Sequence, residues 1–172
     1  KREEFVLRNA YITAEGALEL TMDRLKRTVK GTNCLILGYG RIGKFLARLL
    51  LNLHASVTVA ARKGKDLVQA ELDGCIPCPL RDLAGCLPRC DVLYNTIPHL
   101  ILDQTLLPLV PKSCLCIDLA SKPGGIDLRA AEQLELETIW ALGLPGKVAP
   151  GSAGQAIVDT VLQILTEQEV SL

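Results

Sequence analysis

The chain has 172 residues, 49% hydrophobic and 3% aromatic, enough to bury one core and too few for two full domains. Its 19 Lys and Arg balance its 19 Asp and Glu, so there is no basic field to hold nucleic acid or an anionic membrane. No apolar run reaches the length of a membrane span and no stretch reads as a signal peptide, so a cytoplasmic domain with neither a nucleic-acid nor a membrane partner is expected.

In chain order, Thr13 is placed to cap a helix over 13–30 with the apolar stripe Leu18, Met22, Leu25 and Val29, ending near Gly31. Cys34-Leu35-Ile36-Leu37 is short and wholly apolar, as a strand buried on both faces should be. Ile42, Phe45, Leu46, Leu49, Leu50 and Leu53 recur at helical spacing, which gives a helix one sheet-facing stripe. A second strand reads Ser56 to Ala61, Lys65 to Asp73 is helical, Cys75 to Cys78 is a short third strand and Leu80 to Leu87 a brief helical turn. Strands follow at Asp91 to Thr96, Ser113 to Leu119 and Leu136 to Leu142, with a helix near Leu128 to Leu134, and a last helix runs from about Ser152 to Glu167 with Ile157, Val161, Ile164 and Leu165 on one face. Alternating strands and helices joined by short turns predict an α/β fold of the Rossmann type, a doubly wound parallel sheet of about six strands with helices on both faces. The only methionine, Met22, lies inside a helical pattern and the chain opens on Lys1. We therefore expect residues 1–172 to be one NAD(P)-binding domain excised from a longer chain, with 13–30 a linker helix and an upstream substrate domain absent.

Between the first strand and its helix stands Gly38-Tyr39-Gly40-Arg41-Ile42-Gly43, a dinucleotide fingerprint in its required context. Gly38 permits the tight turn, Gly40 a close approach to a pyrophosphate, and Gly43 close packing of helix on strand. The helix N-terminus, with the amides of Arg41 and Ile42, then faces the phosphates. An NAD site usually carries an acid about 20 residues on, at the end of the second strand. Here that strand ends Ala60-Ala61-Arg62-Lys63, and no acid appears before Asp66. Ala61 leaves room for a 2′-phosphate and Arg62 with Lys63 can bind it, which points to NADP, with NAD as the alternative.

Seven cysteines include Cys75, Cys78, Cys86 and Cys90, which superficially offer four thiolates for zinc. The gap between the pairs is shorter than zinc-finger spacing, and the first pair falls on a strand, so these are read as buried or scattered free thiols with no metal site. Cys114 and Cys116 alternate with Leu115 and Ile117 as packing along a strand, and an odd count suits a reducing cytosol.

Ligands of such sheets bind beyond the carboxyl ends of the strands. There the chain reads Asn95-Thr96-Ile97-Pro98-His99, Asp118-Leu119-Ala120-Ser121-Lys122-Pro123-Gly124-Gly125 and Gly143-Leu144-Pro145-Gly146-Lys147-Val148-Ala149-Pro150. With Thr13-Ala14-Glu15-Gly16-Ala17 and the fingerprint, these strings make nearly the whole chain resemble the nucleotide-binding domain of the dipicolinate synthase A-subunit family. The resemblance implies an NADP-dependent oxidoreductase that forms dipicolinate, pyridine-2,6-dicarboxylate, from a dihydrodipicolinate-type dicarboxylate. It also implies a flavoprotein-like partner, the B subunit of the synthase, in the mother-cell cytoplasm of a sporulating bacterium. In that frame Asn95, Thr96, Ile97 and Pro98 lie near the adenine or central riboses, while Ala120, Ser121, Leu144, Pro145 and Gly146 reach the nicotinamide side. Catalytic residues are unknown. Lys122, which can attract a substrate carboxylate, and His99, which can move a proton, are the candidates. The residues leave two alternatives open: the cofactor domain of another two-domain dehydrogenase acting on 2-hydroxy or amino acids, and a non-catalytic NADP-binding sensor or assembly module. Dehydrogenases of the first kind usually place a catalytic Arg after the fifth strand, where this chain has Ser121-Lys122. The fragment alone is expected to be inactive. Its first and last helices should form a seam with a substrate domain, leaving apolar faces that favour a homo-oligomer.

Overall fold

The computed structural model describes residues 3–169. Six strands, Asn33–Leu37 (β1), Ser56–Ala61 (β2), Ile76–Pro79 (β3), Val92–Asn95 (β4), Leu115–Asp118 (β5) and Thr138–Trp140 (β6), make one parallel sheet in the order β3-β2-β1-β4-β5-β6. The helices are Glu3–Arg24 (α1), Arg41–Asn52 (α2), Gly64–Leu72 (α3), Leu83–Cys86 (α4), Leu128–Gln133 (α5), Leu144–Val148 (α6) and Pro150–Glu169 (α7). This is the expected Rossmann-type doubly wound sheet, and its strand order reverses between β1 and β4.

Alternation along β1 divides the core in two. Cys34 and Ile36 enter the layer that holds Leu46 and Leu50 of α2, while Leu35 and Leu37 enter the layer that holds Leu83 of α4 and Ala130 of α5. The apolar run needs no polar face because both sides of the sheet are covered. Truncating Leu46 or Leu50, each wholly buried, would cost about 2–5 kcal/mol.

The first helix departs from the sequence reading. Thr13 is no cap: it sits in the middle of α1, and its hydroxyl donates to the Asn9 carbonyl at 2.7 Å. The helix ends at Arg24, short of Gly31, and Met22 is exposed. The most deeply buried stripe of α1 is Ala10, Ala14, Ala17 and Thr21, all small, while of the expected stripe Leu18 packs partly buried beside it, and Leu25 and Val29 reach the core beyond the helix end. Small side chains let α1 lie close to its neighbours, and at Gly16 a Cβ would stand 2.6 Å from Leu144 Cγ of α6. Thr21 also anchors the helix to β4: its hydroxyl donates to the Ala17 carbonyl at 2.8 Å and lies 2.7 Å from the Tyr94 hydroxyl, which supplies the second proton.

Other differences are local. The turn expected over 80–87 is a 3-10 turn at Leu80–Asp82, α4, and a second 3-10 turn at Leu87–Arg89. The last helix starts at Pro150 rather than Ser152, and the sequence pattern does not mark α6 or the 3-10 turn at Leu107–Leu109. Along α7, Ile157, Val161, Ile164 and Leu165 are exposed.

Candidate functional site

The rim at the carboxyl ends of β1 and β4 is where the strand order reverses, and the fingerprint lies on it. Gly38 has φ +93°, and a Cβ there would stand 2.5 Å from Thr96 Oγ1, so the turn needs glycine twice over. At Gly43 a Cβ would overlap the Gly38 carbonyl oxygen, which holds α2 tight against the turn. A Cβ on Gly40 would meet nothing within 4 Å. Gly40 is the N-cap of α2 and brings no side chain to the first-turn amides, which lack intrahelical acceptors and remain free for an anion.

A cavity of about 280 Å³ opens there, lined by Gly40, Arg41, Ile42 and Thr96, and by Val6, Asn9 and Ala10 of α1. The α1 wall is not legible in the sequence, because nothing in residues 3–24 resembles a ligand motif. Larger hollows are not lined by those glycines: about 430 Å³ beside Tyr39 and Asp73, and about 540 Å³ beside Tyr11, Phe45 and Ser152. These features fit a dinucleotide's phosphates: an open cradle at Gly40, free amides, and a wall that closes one side.

Side chains of the fingerprint do other work. Arg41 gives both Nε and one terminal nitrogen to Glu3 at 2.7 Å each, an exposed pair that ties α2 to α1 and holds the Glu3 carboxyl below its usual range. Tyr39 turns inward, donates its hydroxyl to Asp73 at 2.6 Å, and takes the Lys44 ammonium over its ring at 5.6 Å. Burial and that hydrogen bond both push the Tyr39 phenol above its ordinary range. Ala61 is buried at the end of β2, and Arg62 and Lys63 are exposed, with no ion pair to either among the described residues.

Across the switch point the rim is built differently. Register places Leu37, Asn95, Asp118 and Trp140 in one row across β1, β4, β5 and β6. Asp118 is buried, and its carboxylate accepts four hydrogen bonds. One oxygen takes Asn95 Nδ2 at 2.8 Å and the Ala120 amide at 3.0 Å, and the other takes the amides of Gly125 at 2.7 Å and Ile126 at 3.2 Å. The Asn95 side chain, expected near a cofactor, is wholly buried and engaged within the protein. Its Nδ2 also donates to the Ile97 carbonyl at 3.0 Å, and its Oδ1 accepts from the Ile97 amide at 3.1 Å. A Cβ on Gly125 would overlap Asn95 Nδ2, so the glycine lets the loop close over this pair. The Trp140 indole then donates to the Ala120 carbonyl at 3.0 Å.

The remaining expected residues divide in two. Thr96 is partly buried and donates to the Leu37 carbonyl at 2.8 Å beside the cavity, while Ile97 is partly buried against the core. Pro98, His99, Ser121 and Lys122 are exposed on the rim loops, whereas Ala120 is buried. Leu144, expected on the nicotinamide side, is buried in α6 with its side chain against Gly16 of α1. Pro145 is partly buried and Gly146 exposed on the same short helix. Among the cysteines, Cys75 and Cys78 enter opposite core layers and do not converge.

Residues 7–120 match the family described as D-isomer specific 2-hydroxyacid dehydrogenase, NAD binding domain. The chain is 35% identical over 167 residues to the A subunit of dipicolinate synthase from Bacillus subtilis (strain 168), an alignment covering 97% of this chain and 56% of that protein. Its fold superposes on the crystal structure of the dipicolinate synthase A chain from Bacillus subtilis with a TM-score of 0.96 at 34% identity, covering 100% of this chain and 58% of that one. On the A subunit of dipicolinate synthase from Bacillus halodurans the TM-score is 0.93 at 36% identity, covering 96% and 57%. The chain thus spans just over half the length of these relatives. Its fingerprint, its switch-point cavity and its match over residues 7–120 agree: the chain belongs to the NAD binding domain family of the D-isomer specific 2-hydroxyacid dehydrogenases and is similar to the A subunit of dipicolinate synthase.

Proposed function

We propose that this chain is the cofactor-binding half of an NADP-dependent oxidoreductase of the dipicolinate synthase type, one that oxidises a dihydrodipicolinate-type ring to pyridine-2,6-dicarboxylate. The observation that carries this reading is the extent of the likeness: it covers 97% of the chain, so it takes in the loops after β4 and β5 as well as the widely shared glycine turn. The nicotinamide cofactor, when bound, exchanges a hydride with the substrate.

The residues hold and orient. Gly38, Gly40 and Gly43 keep the first turn of α2 open, so the Arg41 and Ile42 amides meet the pyrophosphate. Arg62 and Lys63 meet the 2′-phosphate, where the guanidinium fork suits an oxyanion better than a point charge does. Thr96, Pro98, Ser121 and Gly146 line the path toward the nicotinamide. Lys122, exposed on the β5 loop, attracts a substrate carboxylate, and His99 stands on the neighbouring loop as a proton carrier. A separate substrate domain forms the second wall, since hydride transfer requires the reacting carbon to be held against the nicotinamide and such positioning supplies roughly 7–11 kcal/mol. The exposed apolar residues of α7 suit a seam with that domain or with a second copy. By the same likeness, the partner is a second, flavoprotein-like component of the synthase, and the place is the cytoplasm of a sporulating mother cell.

The match over residues 7–120 favours a second reading, a dehydrogenase of 2-hydroxy acids. Two measurements separate these. Full-length protein, by itself and with its flavoprotein-like partner, is assayed for NADPH formation with a dihydrodipicolinate-type substrate and with 2-hydroxy acids; turnover of the 2-hydroxy acids alone rejects the first reading, and no turnover leaves a cofactor-binding module. The chain is then titrated with NADP and NAD, before and after Arg62→Ala. Loss of a charge-assisted phosphate contact should weaken NADP by about 1.5–3 kcal/mol, roughly tenfold to a hundredfold, and leave NAD unchanged. Equal affinity of the parent chain for the two cofactors rejects NADP selectivity.

A further inference from the structure

Away from the cofactor rim, the cysteines form two close pairs that differ in access. Cys90 and Cys114 lie 3.5 Å apart, sulfur to sulfur, and both are buried. Cys78, on β3, and Cys86, at the end of α4, lie 2.8 Å apart, closer than two unbonded sulfurs ordinarily approach. Cys78 is buried, whereas Cys86 is partly exposed and lines a surface cavity of about 240 Å³ together with the exposed Arg89. Cys34 and Cys90 border the same cavity but are buried, so the two pairs differ in that one holds a partly exposed sulfur and the other does not.

We propose that Cys78 and Cys86 form a reversible disulfide when hydrogen peroxide reaches the cavity, which makes this pair an oxidative modification site. The Cys86 thiolate attacks a peroxide oxygen, the O–O bond breaks, and Cys86 becomes a sulfenic acid as the released hydroxide takes a proton and leaves as water. The Cys78 sulfur then attacks the Cys86 sulfur; the S–O bond breaks, and the departing hydroxide takes the Cys78 proton as a second water. Two thiols lose two electrons and the peroxide gains them. The order follows from access and acidity. Burial, with the Cys86 hydrogen bond, pushes the Cys78 thiol up to about 12, so Cys78 makes a poor first nucleophile and serves as the resolving partner. The remaining five cysteines, Cys34, Cys75, Cys90, Cys114 and Cys116, are buried, and although Cys34 and Cys90 border the cavity, neither has a second sulfur as near as Cys78 is to Cys86, so they stay reduced.

The test is peptide mapping of full-length protein treated with hydrogen peroxide, alkylated and digested with trypsin. Cleavage after Lys65, Arg81 and Arg89 puts Cys75 and Cys78 on residues 66–81 and Cys86 on residues 82–89, and fragmentation of the linked pair tells Cys75 from Cys78. The expected result is a 78–86 link, lost on adding a dithiol, in roughly tenfold or greater excess over any link from residues 90–112 to residues 113–129. With Cys78→Ala, oxidation should stop at a Cys86 sulfenic acid that a cyclic 1,3-diketone captures. With Cys86→Ser, no intramolecular link should form while the fold is retained. Comparable amounts of the 90–114 link, Cys86 oxidised to sulfinic acid with no link, or no oxidation at all would each overturn the proposal.

Discussion

The two halves of the rim reach the same end by opposite means. Over β1 and β2 the chain clears space: Gly38, Gly40 and Gly43 remove side chains so that backbone amides stand free at the head of α2. Over β4 and β5 it fills space, placing one buried carboxylate, Asp118, where three amides of the loop after β5 and the Asn95 side chain at the end of β4 converge on it. Free amides suit a ligand that carries its own negative charge. Amides bonded to Asp118 already have theirs, so that loop is fixed in shape before anything arrives. The difference teaches that only the glycine half should weaken a bound phosphate directly when altered; the carboxylate half should fail first in stability.

Substitution of Asp118 is the strongest way to break this contrast. Asp118→Ala strands three main-chain N–H groups in a buried site, removes one of the two acceptors of Asn95 Nδ2, and should cost about 3–5 kcal/mol in urea unfolding, with Asp118→Asn closer to about 2 kcal/mol because an amide accepts on one side only. A loss under about 1 kcal/mol for Asp118→Ala would show that water or rearranged loops replace the carboxylate. Next in size is Gly43→Ala, whose Cβ overlaps the Gly38 carbonyl. It should destabilise by about 1–3 kcal/mol, and cofactor affinity should drop by roughly tenfold or more as α2 backs away from the turn. Unchanged titration of NADP and NAD on this variant would remove the fingerprint from the binding site. The smallest effect is expected at Tyr39→Phe, which loses only the hydrogen bond to Asp73: about 0.5–1.5 kcal/mol by thermal melting, with cofactor affinity intact. A larger fall in affinity than in stability there would mean that the ring's inward turn shapes the phosphate loop.

Legibility in the sequence follows the range of the forces involved. The strand Ser56–Ala61 and the helix after the fingerprint are written in apolar periodicity, and each can be placed within a residue or so because periodicity is a local property. The first helix misleads because its buried stripe, Ala10, Ala14, Ala17 and Thr21, is small rather than strongly apolar, and hydrophobic patterning weights Leu and Met above Ala. Asn95 reads as a ligand contact since it ends a strand on the rim. What its side chain bonds to is Asp118, 23 residues away, which no local pattern joins to it.

By itself the sequence determined the α/β class, the dinucleotide turn with its three glycines, and the basic end of the second strand, since each rests on neighbours along the chain. Tertiary structure decided the rest. Only the strand order brings β4 beside β1 and β5, setting Asn95 against Asp118 and Thr96 against Leu37. Only the packing of α1 across that edge supplies Val6, Asn9 and Ala10 as a wall of the cavity. Contacts between distant segments depend on how the sheet is ordered and how closely its helices pack, so they follow from the fold as a whole and from no single stretch of residues.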